Sequence, residues 1–271
     1  MTIISPEGLV LLSPSRLALL QCPRRGRQLL DERRGDPGIP ARVGRAAHRV
    51  LASLARRGYP EDAFEVIPAL TRSALRAEWT PGVEEQARYE AELHALTDLL
   101  REFSFEWERP ALTAPFVESW VELRHTSGHI LLSGRLDLLF PPADRDGGWA
   151  EVVDFKSGAQ PMDPEEGDGQ APLPIVAQAA LARAKLGLQC PVRVRNVYLR
   201  TRAEERWGLD QRTLVDGWRR VRELAADVLA DRWPAVPGGH CERCRVQCEW
   251  APRSLDAEEL GLVDDPKADG E

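Results

Sequence analysis

Two short stretches decide the fold of this chain: Gly-Arg-Leu-Asp at residues 134–137 and Val-Val-Asp-Phe-Lys-Ser-Gly at residues 152–158. Both are strand-like, and side chains two residues apart in a strand point to the same face. Asp154 and Lys156 therefore project together, while the residue between them points to the other face. Two carboxylates that hold a divalent cation beside an ammonium group can hydrolyse a phosphate ester. The pattern predicts a metal-dependent phosphodiesterase site that contains Asp137, Asp154 and Lys156.

The scarcity of lysine strengthens this interpretation. The chain is rich in arginine but has only three lysines, Lys156, Lys185 and Lys267. Lysine can change its pKa when it is partly buried, whereas arginine stays protonated in proteins. A lysine at position 156 therefore indicates a chemical role rather than an arbitrary positive charge.

Length and composition favour one large globular domain. At 271 residues the chain can bury a substantial core without disulfides. It has no N-terminal basic region followed by an apolar stretch, so we expect a cytoplasmic protein that does not enter a membrane. Five cysteines in such a protein point to metal binding or to buried thiols.

Charge is distributed unevenly along the chain. A net charge of -7 and a pI of about 5.4 argue, by themselves, against a nucleic-acid partner. The N-terminal region is nevertheless rich in arginine, and two interpretations stay open: a surface that follows a phosphate backbone, or solvated helix faces. The arginines are Arg16, Arg24, Arg25, Arg27, Arg33, Arg34, Arg42, Arg45, Arg49, Arg56 and Arg57. Acidic residues gather at 163–168 and in residues 254–271, which we expect to form a disordered tail.

Hydrophobic periodicity predicts a helical first third followed by an α/β core. Helices are predicted from residue 13 to near residue 22 and over residues 43–57, 61–79, 84–107, 175–186 and 211–232. Strands are predicted over residues 116–125, 130–140, 149–155 and 192–199. The order β-β-β-α-β predicts a mixed sheet with a crossover helix. We expect one domain over residues 1–253, with a mainly helical part (1–115), a catalytic core (116–200) and a C-terminal helix and metal-cluster segment (201–253).

These motifs resemble the PD-(D/E)XK nuclease superfamily, and in particular its RecB-type exonuclease branch. The Gly-Arg-Ile-Asp of the family corresponds to residues 134–137, and its Val-x-Asp-x-Lys-x-Gly corresponds to residues 152–158. Gly44-Arg-Ala-Ala-His48 is similar to the Gly-x-x-x-His motif of the branch, and Gln178 lies where a helical glutamine follows the catalytic strand. The resemblance implies a restriction-endonuclease-like core.

The resemblance also implies roles for individual residues. The ligands that it implies for Mg²⁺ or Mn²⁺ are the side chains of His48, Asp137 and Asp154 and the backbone carbonyl of Phe155. Lys156 would orient or activate the attacking water, and Gln178 would help to position the site. The branch often carries an aromatic residue four positions after this glutamine, whereas this chain has Ala182.

Four cysteines form a second candidate centre. Cys241, Cys244 and Cys248 are close in sequence, which suits a metal centre that needs a fourth ligand. Cys22, in Ser-Pro-Ser-Arg-Leu-Ala-Leu-Leu-Gln-Cys-Pro, resembles an N-terminal element of iron-sulfur members of this branch, including AddB-type subunits and CRISPR-adaptation nucleases. The resemblance implies a 4Fe-4S cluster that these cysteines hold and that clamps the chain ends together. Relatives more often have five residues between the last two cysteines instead of three, so Zn²⁺ at the same thiolates, with His240 as a substitute ligand, and unligated thiols stay open.

The resemblance implies a metal-dependent DNA nuclease. The expected activity is that of an exonuclease on single-stranded DNA ends or flaps in DNA repair, recombination or CRISPR adaptation. Because RecB-type domains often lie within helicase-nuclease machines, two possibilities stay open: the chain acts alone, or it joins a helicase or a CRISPR-adaptation protein as a partner. The alternative is a non-catalytic DNA-binding or assembly module that keeps the nuclease fold, which the overall acidity and Ala182 favour.

Overall fold

The computed structural model describes residues 3–32, 38–59, 62–106, 116–142, 148–158 and 170–237, together with residues 241, 244, 246 and 248. Seven α-helices and six strands form in this part of the chain. The helices are α1 (Pro14–Leu19), α2 (Pro23–Glu32), α3 (Gly38–Arg56), α4 (Ala63–Glu78), α5 (Gln86–Glu106), α6 (Leu173–Leu186) and α7 (Gln211–Leu229). The strands are β1 (Val10–Leu12), β2 (Phe116–Arg124), β3 (Ile130–Phe140), β4 (Ala150–Lys156), β5 (Val192–Tyr198) and β6 (Glu204–Leu209).

The strands form one mixed sheet around the long strand β3. The sheet has the order β1-β3-β4-β5-β6, and β2 pairs with β3 outside this path. β1 is parallel to β3 and β4 is parallel to β5, whereas β2 and β4 are antiparallel to β3 and β6 is antiparallel to β5. Helix α6 is the crossover between β4 and β5. The predicted order β-β-β-α-β is therefore confirmed as β2, β3, β4, α6 and β5.

Helices cover both faces of the sheet, so its central strands are buried on each side. One core cluster joins α1, α6 and α7 to sheet residues that include Leu136, Val152 and Val194. The other joins α3, α4 and α5 to residues that include Val153 and Phe155. Val152 and Val153 thus point into opposite cores, as the alternation of side chains along a strand requires.

Local signals in the sequence explain where two helices begin and end. The Ser13 side chain accepts a hydrogen bond from the backbone N–H of Arg16 (3.2 Å), and Pro14 occupies the first turn of α1. Helix α6 ends at Gly187, whose φ of +64° lies in the left-handed region that glycine adopts readily. Both boundaries match the predicted ones.

Three elements were not among the predicted ones: β1, α2 and β6. β1 has only three residues, and it forms because β3 offers a parallel partner from Ile130 to Leu132. α2 contains Gly26, where a Cβ atom would lie 2.8 Å from the carbonyl oxygen of Leu19, so the glycine lets α2 pack closely against the end of α1. β6 is an edge strand that pairs along its whole length with β5.

Some predicted features lie outside the described residues. These are the acidic residues 163–168, the acidic tail at residues 254–271, and His240. None of the helices in the described ranges combines the length and the apolar character that crossing a membrane requires.

Candidate active site

Strands β3 and β4 separate at the two predicted aspartates. They pair only over Leu138–Phe140 and Glu151–Val153. One step further along this register Asp137 would face Asp154, but the strands no longer pair there. The backbone N–H of Phe155 instead donates to Oδ2 of Asp137 (2.9 Å). A hydrogen bond to a side chain thus replaces the backbone hydrogen bonds of the ladder at the point where the strands separate.

A third carboxylate lies beside this opening on the other side of β3. Glu118 of β2 is flanked by the pairs Val117 with Leu138 and Ser119 with Leu136, so the register places it opposite Asp137. Its φ of +51° is left-handed, a conformation that costs energy in a residue with a side chain. Glu118, Asp137 and Asp154 therefore form one row across three strands. Like charges opposite one another destabilise a sheet, so this row needs positive charge.

Each carboxylate of the row has a basic partner in the chain. The ion pairs are Arg135 Nε with Glu118 Oε2 (2.7 Å), His48 Nδ1 with Asp137 Oδ2 (3.1 Å), and Lys156 Nζ with Asp154 Oδ2. His48 and the backbone N–H of Phe155 both contact Oδ2 of Asp137, so neither contact uses its Oδ1. The charges of the three carboxylates are thus compensated by protein groups, with which a cation would compete.

The glycine of the Gly-x-x-x-His motif brings α3 close to the end of β4. A Cβ atom at Gly44 would lie 2.6 Å from Oγ of Ser157, which follows β4 directly. One helical turn later, His48 packs its ring edge-on against Phe155, with 6.4 Å between the ring centres and an interplanar angle of 87°. The motif therefore combines a close approach of α3 with a candidate metal ligand at the spacing that one helical turn provides.

The glycine of the Gly-Arg-Leu-Asp motif has a similar role on the other face of the sheet. A Cβ atom at Gly134 would lie 2.8 Å from Cδ1 of Leu181 and 3.1 Å from Cδ of Pro14. Its absence lets α1 and α6 pack directly onto β3. Gln178, one turn before Leu181, is 3% exposed, and its Oε1 has no hydrogen-bond partner among the described residues. Ala182 is fully buried in the same core.

The pKa values of His48, Glu118 and Asp154 are all raised above their ordinary values. Burial disfavours the imidazolium of His48, but the hydrogen bond and the charge of Asp137 outweigh it and raise the pKa of His48. Burial is the main cause that raises the pKa of Glu118. Burial also raises the pKa of Asp154, with repulsion from Asp137 added, although Lys156 opposes both.

Lys156 is held as an ammonium group by its acidic neighbours. Burial favours its neutral form, but attraction to Asp154 outweighs burial and raises the pKa of Lys156. Asp137 and Glu205 act in the same direction. In this state Lys156 is a hydrogen-bond donor and a positive charge rather than a base.

The donor atoms of this row and of the neighbouring His48 fit a hard divalent cation. Ligand atoms of His48, Glu118 and Asp137 all lie within 4.8 Å of one another, and within the described part of the chain they are the one group of three or more His, Cys, Asp or Glu that converges in this way. Carboxylate oxygens with one imidazole suit Mg²⁺ or Mn²⁺. The predicted ligand Asp154 lies outside this group, and its carboxylate contacts Lys156.

Sequence reasoning missed Glu118, although its position carried a signal. It lies on the strand that precedes the Gly-Arg-Leu-Asp strand, at the position that antiparallel pairing sets opposite Asp137. Sequence reasoning also missed a polar extension of the row. Asn196 of β5 is paired with Asp154, and its Nδ2 donates to Oε2 of Glu205 on β6 (3.1 Å). Oδ1 of Asn196 and Oε1 of Glu205 are buried and accept no hydrogen bond within the described residues.

The segment that follows α7 contacts the chain at the start of α2. Cys22 is buried there, and the backbone N–H of Val236 approaches its sulfur (3.5 Å). The backbone N–H of Arg24 donates to the carbonyl of Pro234 (3.2 Å). Cys241 and Cys244 are joined by a turn in which the N–H of Cys244 donates to the carbonyl of Cys241 (3.1 Å). The chain that follows α7 therefore passes Cys22 shortly before it reaches the C-terminal cysteines.

Comparison with known proteins assigns the family. The model of the PD-(D/E)XK nuclease superfamily matches residues 11–248. The chain belongs to this superfamily. A crystal structure of a candidate exonuclease from Eubacterium rectale at 2.19 Å resolution is similar to this chain at 13% sequence identity, with 92% of each chain covered and a TM-score of 0.46. The comparison with curated proteins finds no match. Membership in the PD-(D/E)XK nuclease superfamily implies nuclease, and hence phosphodiesterase, activity.

The raised pKa values predict how metal binding depends on pH. Protons bind His48, Glu118 and Asp154 more tightly in the folded than in the unfolded chain, so the metal-free protein loses stability as pH rises through these raised pKa values. A cation has to displace the same protons. We therefore expect Mg²⁺ or Mn²⁺ to raise the melting temperature more at pH 8 than at pH 6, as measured by thermal unfolding with and without metal.

Two variants provide the controls for this measurement. Asp137→Asn should remove the metal-dependent increase in melting temperature, whereas Asp216→Asn, on the exposed face of α7, should keep it. An equal increase at both pH values, or an increase that survives in Asp137→Asn, would contradict a metal site in this row.

Proposed function

We propose that this protein is a metal-dependent DNA nuclease that hydrolyses backbone phosphodiesters with Mg²⁺ or Mn²⁺. The observation that carries the proposal is the row of Glu118, Asp137 and Asp154 across three strands, with His48 and Lys156 beside it. Three buried or half-buried carboxylates in register are costly without a cation. The superfamily to which the chain belongs supports hydrolysis as the reaction.

The proposed metal ligands are the convergent group of His48, Glu118 and Asp137, together with Asp154 and the backbone carbonyl of Phe155. Asp154 would leave its contact with Lys156 to join them. A divalent cation bound there supplies Lewis-acid chemistry, which stabilises charge on the phosphate and lowers the pKa of a nearby water. The N–H of Phe155 fixes the orientation of Asp137 through Oδ2, so that Oδ1 remains for a cation.

Lys156 is proposed to orient the attacking water and to stabilise negative charge on the phosphate. Its raised pKa supports this role, because an ammonium group donates hydrogen bonds and carries positive charge at neutral pH. Gln178 is proposed to help to position the site. Its buried and unpartnered Oε1 supports a function for this side chain, since a buried amide without a hydrogen bond is costly.

The resemblance to the RecB-type branch supports a finer proposal. We propose an exonuclease that acts on single-stranded DNA ends or flaps, in the cytoplasm, during DNA repair, recombination or CRISPR adaptation. A helicase or a CRISPR-adaptation protein would deliver the strand. The complete set of acidic, histidine and lysine side chains favours catalysis over a purely DNA-binding module.

Digestion of end-labelled DNA tests the catalytic proposal. With Mg²⁺ or Mn²⁺ the protein should degrade linear single strands and leave circular single strands intact, because circles offer no end. Lys156→Ala should lower kcat by about a hundredfold or more, since it removes a charged donor from the reacting phosphate. Lys185→Ala is the matched control, because Lys185 lies exposed on α6 and should be dispensable.

Two results would count against this function. Equal product formation by the wild type and by Lys156→Ala would exclude the proposed role of Lys156. DNA binding without metal, combined with no cleavage of linear or circular substrates, would favour the non-catalytic assembly module.

We also propose that Cys22, Cys241, Cys244 and Cys248 hold a 4Fe-4S cluster. The path of residues 234–236 beside Cys22 supports this proposal, because it brings the two ends of the domain together. Zn²⁺ held by the same thiolates is the alternative.

Anaerobic purification tests the cluster. The protein should be brown, contain about four iron atoms per chain, and lose both colour and iron in Cys244→Ser, because each cluster iron needs a thiolate. Cys190→Ser is the control, since Cys190 lies before β5, packed against the apolar core on the α6 side. A colourless protein that carries zinc after anaerobic purification would contradict the iron-sulfur proposal.

A further inference from the structure

A cleft lined by arginines opens from the candidate active site. It has a volume of about 490 Å³, and His48 and Glu118 form the wall that it shares with the site. Its arginines are Arg45, Arg49 and Arg56 from α3 and Arg135 from β3. Two glutamates face these four arginines, so the lining has a formal charge of +2 in a protein whose net charge is -7. The cleft is thus a local positive region beside the row of carboxylates.

The arginines of α3 form a row on one face of the helix. Residues 45 and 49 are one turn apart, and residue 56 lies about two turns further along the same face. At a rise of about 1.5 Å per residue, the row is about 16 Å long. It therefore matches several consecutive phosphates better than one isolated anion.

Glu78 of α4 fixes two of these arginines. Its carboxylate contacts Nε of Arg45 (2.5 Å) and Nη2 of Arg49 (2.7 Å), and its side chain is only 9% exposed. Although burial alone would raise the pKa of Glu78, the two arginines lower it, so the carboxylate stays charged. Each guanidinium has five N–H donors, and the contact with Glu78 leaves most of them for a ligand. The arginines are held in place before a ligand arrives.

Arg56 differs from the other three arginines of the cleft. Within the described residues its guanidinium makes no ion pair or hydrogen bond, and its charge acts across the cleft on Glu118. Arg135, in contrast, is bound to Glu118. Arg56 is therefore the arginine whose removal would disturb the protein least.

The rest of the lining does not suit nucleobases. The apolar part consists of small side chains and one leucine: Ala52, Ala74, Ala77 and Leu70. In the described part of the chain no Phe, Tyr or Trp lines the cleft, so bases have no aromatic surface on which to stack. The ligand that this chemistry fits is a phosphate backbone without regard to sequence.

We propose that this cleft binds the backbone phosphates of a single DNA strand next to the phosphate that is cleaved. This inference rests on the proposed nuclease function, and it adds the path of the substrate to that function. Arg56 and Arg135 contact phosphates at the cleft surface, and Glu78 positions Arg45 and Arg49 for the same strand. The positive charge of the cleft also offsets the negative net charge of the protein, which by itself disfavours DNA binding.

The salt dependence of DNA binding tests the proposal. Binding of a labelled linear single-stranded oligonucleotide is measured with EDTA at several salt concentrations, so that no strand is cut. Arg56→Ala should weaken binding several-fold and reduce the slope of log Kd against log salt by about 0.7, the value for one phosphate of a single strand. Arg56→Lys should restore most of the slope. Arg72→Ala, an exposed arginine of α4 outside the cleft, should bind like the wild type.

A comparison of DNA strands with different ends shows whether the cleft binds internal or terminal phosphates. Linear strands with a 5′-phosphate, linear strands with a 5′-hydroxyl and circular single strands should bind with similar affinity if the cleft holds internal phosphates. Binding that requires a terminal phosphate would overturn the proposal, and so would a slope for Arg56→Ala equal to that of Arg72→Ala.

A parallel digestion with Mg²⁺ separates this inference from the proposed function. If the wild type does not cleave DNA but Arg56→Ala still changes the salt slope, the cleft assignment holds and the nuclease function fails. If the wild type cleaves DNA and the slope stays unchanged in Arg56→Ala, the cleft assignment alone fails.

Discussion

The separation of β3 from β4 is the constraint on which the rest of the site depends. A continuous ladder would pair the backbone at Asp137 and Asp154 and would leave no room between them. Because pairing stops after Leu138 and Val153, the N–H of Phe155 turns to the side chain of Asp137 instead. Helices pack closely against both faces of the sheet beside this gap, through Gly44 on one side and Gly134 on the other. The glycines and the aspartates of the sequence motifs therefore belong to the same local structure.

The electrostatics of the site follow from this geometry. Opening the ladder exposes carboxylates to one another across three strands, and each is compensated by a different base, with Arg135 exposed, His48 half-buried and Lys156 partly exposed. The compensation is incomplete, because the pKa values of Glu118 and Asp154 remain raised. Because the pKa values are raised, these groups keep their protons to a higher pH than usual. A divalent cation competes with these protons, so it binds more strongly as the pH rises.

The sequence predicted those parts of the site whose geometry follows from the regular period of a strand or a helix. Asp154 and Lys156 share a face because strand side chains alternate, and Gly44 and His48 are one helical turn apart. Glu118 does not belong to such a pattern. Its position depends on the register between β2 and β3 and on a left-handed φ, and neither is visible in a run of residues around it. Asn196 and Glu205 were missed for the same reason, since they join the row only through pairing of β4, β5 and β6.

Among the secondary-structure elements, too, some could be predicted from the sequence and others could not. Strands with strong apolar alternation, such as β3 and β4, were predicted with nearly correct ends. β6 was not, because its charged Glu-Glu-Arg start has low strand propensity and it forms only by pairing with β5. α2 was missed because Pro23 and Gly26 weigh against a helix in sequence, whereas in the structure proline opens the helix and glycine allows it to pack against α1.

The central claim is that the row of carboxylates beside the separated strands is a metal site. Anomalous diffraction from crystals soaked in Mn²⁺ tests it most directly. The account predicts a manganese peak in the opening between β3 and β4, about 2.1 Å from a nitrogen of His48 and from oxygens of Asp137 and at least one neighbouring carboxylate. Well-ordered crystals with full manganese occupancy elsewhere, and no peak at these residues, would contradict it.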